Sequence, residues 1–402
     1  MFEIGQLIDN RYLVRARKKG GMGYVFICDD QVWLRKGRPL KVALKTMLPE
    51  LQRVRGATDR FLNEARLWVE LGKHPNILHA LYVKRIQDQP FVIMEFIHGY
   101  QDFGPDLEGW ITSKKMPLEK ILDFSLQFCD GMIYASECFA QKGLRFVHRD
   151  VKPGNTMIDH HLQVKITDFG LAKVMDESPG VPGSALPSLS PTSSGSLTLI
   201  GGIIGTPRYM SPEQCRGETN IDIRSDVYAF GCMLFEMLTG NAPFPGKDIR
   251  EIIRRHVSET PPPLMPVPAG TSDRLKKIVL RCLQKQAAGR FPDFSALREE
   301  LVDEYCTVTG RKRDVAAGPQ NTPRAGLGDK LNKSLSLYEL GQKDDGVRLF
   351  AEAIGEKKNA AAAPVARQAN QAVEHEERRL VRGGLISKDK GAPESPNNKK
   401  KV

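Results

Sequence analysis

The sequence predicts an α+β protein, with a small β-rich lobe followed by a larger helical one. Three observations predict it. Residues 12–95 are strand-rich in pattern, broken by one helical segment. From residue 118 onward helical patterns dominate. The chain has 402 residues, enough for two or three folded units at roughly 100–200 residues each.

Short strands are expected over 12–17, 24–28, 41–47 and 91–96. The helical segment among them covers 57–71, with Phe61, Ala65 and Trp68 at helical spacing. A long amphipathic helix is expected over 118–140. Residues 227–238 are apolar nearly all round, as a buried helix should be. Further helices are expected over 272–284 and 294–302. Two segments break the regularity. Residues 178–196 are dense in Ser, Pro and Gly and should be flexible. Residues 261–270 carry five prolines and read as a stiff connector. These signals place the small lobe at about 10–95 and the large lobe at about 98–303. A linker over 304–328 should follow, then a helical segment over 329–382. That segment reads as a helix pair, 330–340 and 343–354, and an alanine-rich helix, 360–382. The basic tail 383–402 should be disordered.

Composition narrows the function classes. Hydrophobic residues are 41% and charged residues 27%, ordinary for a soluble globular protein. The net charge of +11 is uneven. Residues 306–402 hold 19 Lys and Arg against 12 Asp and Glu, whereas residues 1–305 hold 40 against 36. Such a basic end reads as a solvated tail or as an electrostatic arm. Aromatic residues do not interleave with its charges, which argues against stacking on bases and against a specific nucleic-acid partner. The seven cysteines include no Cys-x-x-Cys pair. Core thiols of a reduced cytoplasmic protein are the expectation. The apolar stretch 199–205 is far short of the roughly 18–20 residues that span a bilayer, and no signal peptide is expected.

Four motifs carry chemistry. Gly20-Gly21-Met22-Gly23-Tyr24-Val25 falls between two strands. Its glycines would let backbone N–H groups approach phosphate oxygens, although a plain hairpin turn reads the same way. In Val42-Ala43-Leu44-Lys45 the lysine is flanked by strand apolars. Burying it needs a partner, and Glu64 on the next helix is the candidate. The alternative is a strand-edge lysine and an exposed glutamate. The third motif is His148-Arg149-Asp150-Val151-Lys152-Pro153-Gly154-Asn155, followed by Asp168-Phe169-Gly170. Phosphoryl transfer needs charge compensation and in-line positioning more than covalent help. Asp168 offers a hard oxygen ligand for Mg²⁺ and Asn155 a neutral one. Asp150 can accept a hydroxyl proton, and Lys152 can offset charge on the transferring group. In the fourth motif Gly205-Thr206-Pro207 leads to Ser211-Pro212-Glu213, then Asp226 and Arg290. Glu213 and Arg290 suit a buried ion pair. Asp226, before an apolar helix, suits the backbone of the Asp150 loop.

In order and spacing, over about residues 12–302, these motifs closely resemble the eukaryotic-type (Hanks-type) serine/threonine protein kinases, especially their bacterial branch. The resemblance implies a two-lobed protein kinase fold plus the C-terminal helices, with ATP as phosphoryl donor and Mg²⁺, or Mn²⁺ in its place. It implies that Lys45 pairs with Glu64 and touches phosphates, that Asp150 is the catalytic aspartate, and that Asn155 and Asp168 hold metal. Met94 matches the gatekeeper, with Glu95 and Ile97 as hinge residues to adenine. Val25, Ala43 and Met157 should sandwich the adenine ring. Lys152 and Thr206 are the serine/threonine-type choices, against a tyrosine kinase. The glycine loop departs from the family at Lys18, where its first glycine is usual, and at Arg17 before it. Gly20 and Gly23 match, and Gly21 is an extra glycine frequent in the bacterial branch. Residues 29–39 insert a charged loop or hairpin extension.

The segment between Asp168 and Glu213 is long for the family and rich in Ser and Thr. Arg149 is the family's partner for a phosphate on this loop, and phosphate brings about −1.5 to −2 charge. Autophosphorylation is therefore expected, at Ser196 or Thr198. Residues 331–359 resemble a tetratricopeptide helix pair at Gly341, Gly346, Phe350 and Ala353, but Lys343 stands where an aromatic is usual. A single repeat cannot bury its own faces. The segment therefore belongs to a longer repeat array, docks elsewhere, or is a generic amphipathic hairpin. An active kinase in signalling is the leading reading. Its rivals are a catalytically dead scaffold and a small-molecule kinase, and the retained Lys45, Glu64, Asp150, Asn155 and Asp168 weigh against the first of these. The Lys152-Pro153 pair and the 205–213 loop weigh against the second. Expected partners are protein substrates, a protein bound through the C-terminal helices, and a second copy of the chain.

Overall fold

Alternation along the first strands decides how the small lobe closes. In β2 (Tyr12–Lys19), Tyr12 and Val14 are buried and Arg15 is exposed. In β4 (Arg38–Met47), Val42 and Ala43 fall into different apolar clusters, one on each side of the sheet. A computed structural model describes residues 2–20, 23–113, 116–169, 175–176, 207–313, 327–339 and 343–359. Six strands form one antiparallel sheet, ordered β1-β2-β3-β4-β6-β5. The other four strands are β1 (Leu7–Ile8), β3 (Gly23–Arg35), β5 (Ala80–Ile86) and β6 (Gln89–Glu95). One face joins the main core with helix α1 (Ala57–Leu71), which buries Leu62, Ala65, Trp68, Val69 and Leu71. The other face buries Tyr12, Phe26, Val42, Leu44, Tyr82 and Phe91 as a second cluster.

Residues 29–39 are a hairpin extension. Leu34 pairs with Pro39 and Arg35 with Arg38, around Lys36 and Gly37 at φ 52° and 75°. Trp33 on this extension packs edge-on against Tyr82 at 5.9 Å and so covers the second cluster.

The large lobe contains α2 (Leu107–Ser113), α3 (Leu118–Ala140), α4 (Ile223–Thr239), α5 (Ile249–Ser258), α6 (Asp273–Cys282) and α7 (Phe294–Thr309). Asp222, Asp248, Ser272 and Asp293 cap α4 to α7 through their side chains. Helix α4 is buried almost all round. Two small antiparallel pairs complete this lobe: β8 (Thr156–Ile158) with β9 (Val164–Ile166), and β7 (Leu144–Arg145) with β10 (Met175–Asp176).

Several boundaries differ from expectation. Helix α7 does not stop at Val302 but runs to Thr309, well into the expected linker. Beyond it Arg311 bonds Glu119 at 3.0 Å and Arg313 bonds Asp123, which ties this stretch to α3. Strand β5 was not anticipated, since Lys84 and Arg85 interrupt its apolar run. Helix α5 was missed as well, although Asp248 and the spacing of Ile249, Ile252 and Ile253 signal it. The C-terminal pair is α8 (Leu327–Glu339) and α9 (Lys343–Asn359), in which Ser334, Ser336, Phe350 and Ala353 are buried. The pair docks on the small lobe: Leu335 packs against the second cluster, and Ser336 Oγ accepts a hydrogen bond from Val83 N of edge strand β5 at 3.1 Å. The expected alanine-rich helix and the basic tail lie outside the described residues.

Candidate active site

The cleft roof is built by strand register. Lys45 stands on β4 between Val25 of β3 and Val92 of β6, two residues from Ala43, which faces Met94. Ala43 and Met94 are buried and Val25 half-buried. At the root of the glycine turn, Gly20 N donates to Gly23 O at 2.8 Å. A Cβ on Gly23 would lie 1.9 Å from Thr46 O, so only glycine fits against β4 there. Gly21 lies outside the described residues. Glu95 is anchored twice to His79, through its own N–H at 3.1 Å and through Oε1, which accepts from His79 N at 2.8 Å. Lys165 stands 3.6 Å from the same carboxylate. Ile97 is buried. Met157 lies on β8, bridged to Asp106.

The floor is the segment from Val147 to Asn155. Asp226, at the start of α4, accepts from His148 N at 2.6 Å and Arg149 N at 2.8 Å. It thereby pins the loop where Arg149 takes a left-handed φ of 66°, a conformation that costs a non-glycine residue roughly 1–3 kcal/mol. Burial pushes Asp226 up to about 7, against the two amides that favour its charged form. His148 is fully buried, and burial pushes its pKa down, favouring the neutral ring. Its Nδ1 accepts from Asp150 N at 3.3 Å, which leaves the proton on Nε2 to donate to Thr167 O at 3.1 Å. Phe169 packs between His148 at 5.0 Å and Trp68 of α1 at 6.1 Å. The sequence showed His148 and Phe169 within motifs but gave no hint of this column across the lobes. Its only signal was the apolar character of position 68.

Asp150 is oriented through one oxygen. Oδ2 accepts from Lys152 Nζ at 2.7 Å and from Asn155 Nδ2 at 2.8 Å. Oδ1 accepts no hydrogen bond among the described residues and is the atom able to take a proton. Asn155 spends its amide N–H groups on Asp150 O and Oδ2, so its Oδ1 remains as a neutral ligand atom. Asp168, at φ 62°, receives Lys45 Nζ on Oδ1 at 2.5 Å. Burial works against its charge, but the Lys45 ammonium outweighs it and holds the carboxyl below its ordinary range.

The expected Lys45–Glu64 ion pair is not formed. Lys45 binds Asp168 instead, and Glu64 has no ion-pair partner within 4.0 Å among the described residues. Burial pushes Glu64 up to about 8, only partly offset by the charge of Lys45. A desolvated carboxyl with no direct cation favours its neutral form.

Glu213 and Arg290 meet in a bidentate pair at 2.7 and 2.9 Å. Arg290 also donates to the carbonyls of Gln284, Arg224 and Lys285, and Ser225 Oγ donates to Glu213. Thr206, Ser196 and Thr198 lie outside the described residues. Asn155, bonded to Asp150, and Asp168, whose neighbour Thr167 bonds Asn155 O through its N–H at 3.0 Å, are hard oxygen donors, a set that suits a small divalent cation completed by phosphate oxygens.

The family model for the protein kinase domain matches residues 19–302. The chain belongs to the protein kinase family. It is 30% identical over 314 residues to a probable serine/threonine-protein kinase PknB of Lactococcus lactis, covering 78% of this chain and 44% of that one. It is 32% identical over 331 residues to the serine/threonine-protein kinase PksC of Streptomyces coelicolor, covering 81% and 54%. Against serine/threonine-protein kinase PknB of Mycobacterium tuberculosis it is 33% identical over 289 residues, covering 70% and 41%. The kinase thus spans about half, or less, of the length of these relatives. Protein kinases as a family use ATP and a divalent metal and act on proteins. No helix among the described residues is long and apolar enough to cross a membrane.

Proposed function

We propose that this kinase phosphorylates serine and threonine hydroxyls of proteins with Mg²⁺-ATP, Mn²⁺ serving as an alternative, and phosphorylates its own 171–205 segment. One observation carries the reading: Asp150 is held through Oδ2 by Lys152 and Asn155, and its Oδ1 accepts no hydrogen bond among the described residues. The incoming hydroxyl gives its proton to Asp150 Oδ1 as its oxygen bonds the γ-phosphorus, while the bond from that phosphorus to the β–γ bridging oxygen breaks and ADP leaves with the electron pair. Lys152 offsets charge on the transferring group. Asn155 and Asp168 would hold the metal, which supplies charge neutralisation between the β- and γ-phosphates. Val25, Ala43, Met94, Glu95, Ile97 and Met157 would receive the base.

Self-phosphorylation is supported by Arg149. Its Nε and Nη2 are buried and find no hydrogen-bond partner among the described residues. Buried donors of this kind are costly, and a phosphate on Ser196 or Thr198 would satisfy them. The seven free cysteines suit a cytoplasmic, signalling enzyme. A second copy of the chain, and a protein bound through the C-terminal helices, are the proposed partners.

The test is incubation with Mg²⁺ and labelled ATP beside Asp150→Asn. Label on the wild type alone, mapping to Ser196 or Thr198, supports the reading. Label on both proteins would remove Asp150 from its role. Active protein free of phosphate over 171–205 would remove self-phosphorylation, and absence of label on both would favour a silent scaffold.

A further inference from the structure

The helix pair α8–α9 touches the two elements whose relative position governs Lys45 and Glu64. Helix α8 packs on both β5 and α1. Ser336 is the anchor. It is buried, its Oγ accepts from Val83 N at 3.1 Å, and its proton goes to Asn332 O at 2.8 Å. Both capacities of the hydroxyl are therefore used, at an edge strand whose N–H would otherwise be open. Leu335 beside it packs against the outer face of the same sheet.

Glycines at positive φ stand at both ends of helix α1, Gly56 at 73° and Gly72 at 71°. The ψ of −149° at Gly72 lies in a region essentially reserved for glycine. No side chain caps its N-terminus. Within this docked arrangement Lys45 is bound to Asp168, and Glu64 has no ion-pair partner among the described residues. Glu64 stands on α1 and Lys45 on the sheet that β5 edges, so a shift of α1 against β5 changes their separation, and α8 spans that joint.

We propose that α8–α9 is an intramolecular brake: docked through Ser336 on β5, it holds α1 where Glu64 cannot reach Lys45, and its release allows the pair to form. The proposal rests on the reading of Lys45 and Glu64 as partners in the active enzyme. The occupant is this chain's own helix, so no outside partner is needed for the docked state.

Ser336→Glu in the full chain tests it. Glutamate has no proton to give Asn332 O at neutral pH and places a charge against apolar surface. Hydrogen exchange reads docking independently of activity. The expected result is faster exchange over 80–86 and 331–339, unchanged exchange over 118–140, and a phosphorylation rate raised at least about fivefold, the lower end of coupling between sites. Ser336→Ala, which keeps the apolar contacts, should show a smaller change in the same direction. The gain should vanish in a Ser336→Glu, Glu64→Gln double variant. Unchanged exchange, or faster exchange with an unchanged or lower rate, overturns the brake. A gain that survives Glu64→Gln overturns its route through α1. If Glu64→Gln alone leaves the wild-type rate intact, it is the reading of Glu64 as the lysine's partner that fails, and the exchange data still report docking.

Discussion

Lys45 Nζ stands 2.5 Å from Asp168 Oδ1, and Glu64 is left beyond ion-pair reach. One cation thus faces two carboxyls and has settled on the one that is also the candidate metal ligand. Asp168 keeps its charge because Lys45 compensates its burial. Glu64 is pushed toward neutrality by burial, which the charge of Lys45 offsets only in part. The two carboxyls compete for a single ammonium, and whichever it leaves must be satisfied by other means.

The competition has a pH signature. The folded-state pKa of Glu64, about 8, lies above the ordinary glutamate value. Between the two values the folded chain keeps a proton that the unfolded chain releases. Its contribution to stability is therefore complete below the ordinary value and is lost as pH rises through about 8. Glu64→Gln cannot titrate, so its melting temperature relative to wild type should rise between about pH 5 and pH 8. The gap should grow by at least ~1.4 kcal/mol, the equivalent of one pKa unit. A gap that stays flat across this range would mean Glu64 is ionised throughout.

Much of this site was legible in the sequence because its motifs are local. Asp150, Lys152 and Asn155 fall within six residues, and their hydrogen bonds follow from one turn of backbone. Strand β4 and helices α1 and α3 were legible from periodicity alone. What could not be read were choices made across distance. Lys45 has a nearby glutamate and a remote aspartate, and only the folded cleft brings the aspartate to within 2.5 Å of its ammonium. Ser336 resembles any polar residue of an amphipathic helix, and nothing local tells that its hydroxyl meets Val83. Helix α7 overran its expected end because Glu304 and Tyr305 are buried on it and its stop is Gly310, in the left-handed conformation.

The Glu213–Arg290 pair should be the most damaging to break from one side. Both groups are buried, and Arg290 also ties three carbonyls together. Arg290→Met strands a desolvated carboxylate and should cost ~3–5 kcal/mol, read as a lower urea midpoint. Glu213→Leu with Arg290→Met should recover part of that loss, since no unpaired charge then remains. A cost under ~1 kcal/mol for the single variant would mean that water reaches Glu213.

Arg149 should behave in the opposite way. Its backbone is well engaged, with N bonded to Asp226 and O receiving Gln214 Nε2 at 3.0 Å. Its guanidinium Nε and Nη2 find no hydrogen-bond partner among the described residues, and burial pushes its pKa down. Arg149→Gln should leave unphosphorylated protein as stable as wild type, or more stable by ~1 kcal/mol. If the 171–205 segment is phosphorylated as proposed, the same variant should lose any gain in activity that the phosphate brings. Both are measured by comparing melting and turnover before and after incubation with ATP. A variant destabilised by more than ~1 kcal/mol would show that the guanidinium is a structural donor instead.

Gly23 offers a steric test of the roof. Its missing side chain is what lets β3 start flush against β4, because a Cβ would sit 1.9 Å from Thr46 O and 3.0 Å from Thr46 C. That neighbour is backbone in the middle of a sheet, and it cannot rotate away. Gly23→Ala must therefore move the turn, opening the Gly20 N to Gly23 O bond and shifting Val25 relative to Lys45. A cost of ~1–3 kcal/mol is expected from overpacking of this kind, together with weaker nucleotide binding at unchanged Asp150 chemistry. Gly20→Ala is the control: its Cβ would meet nothing closer than 3.7 Å, so its stability should change little. Nucleotide titration followed by thermal shift separates the two. Equal binding by both variants would show that the turn can give way, and that the base is held chiefly by the hinge.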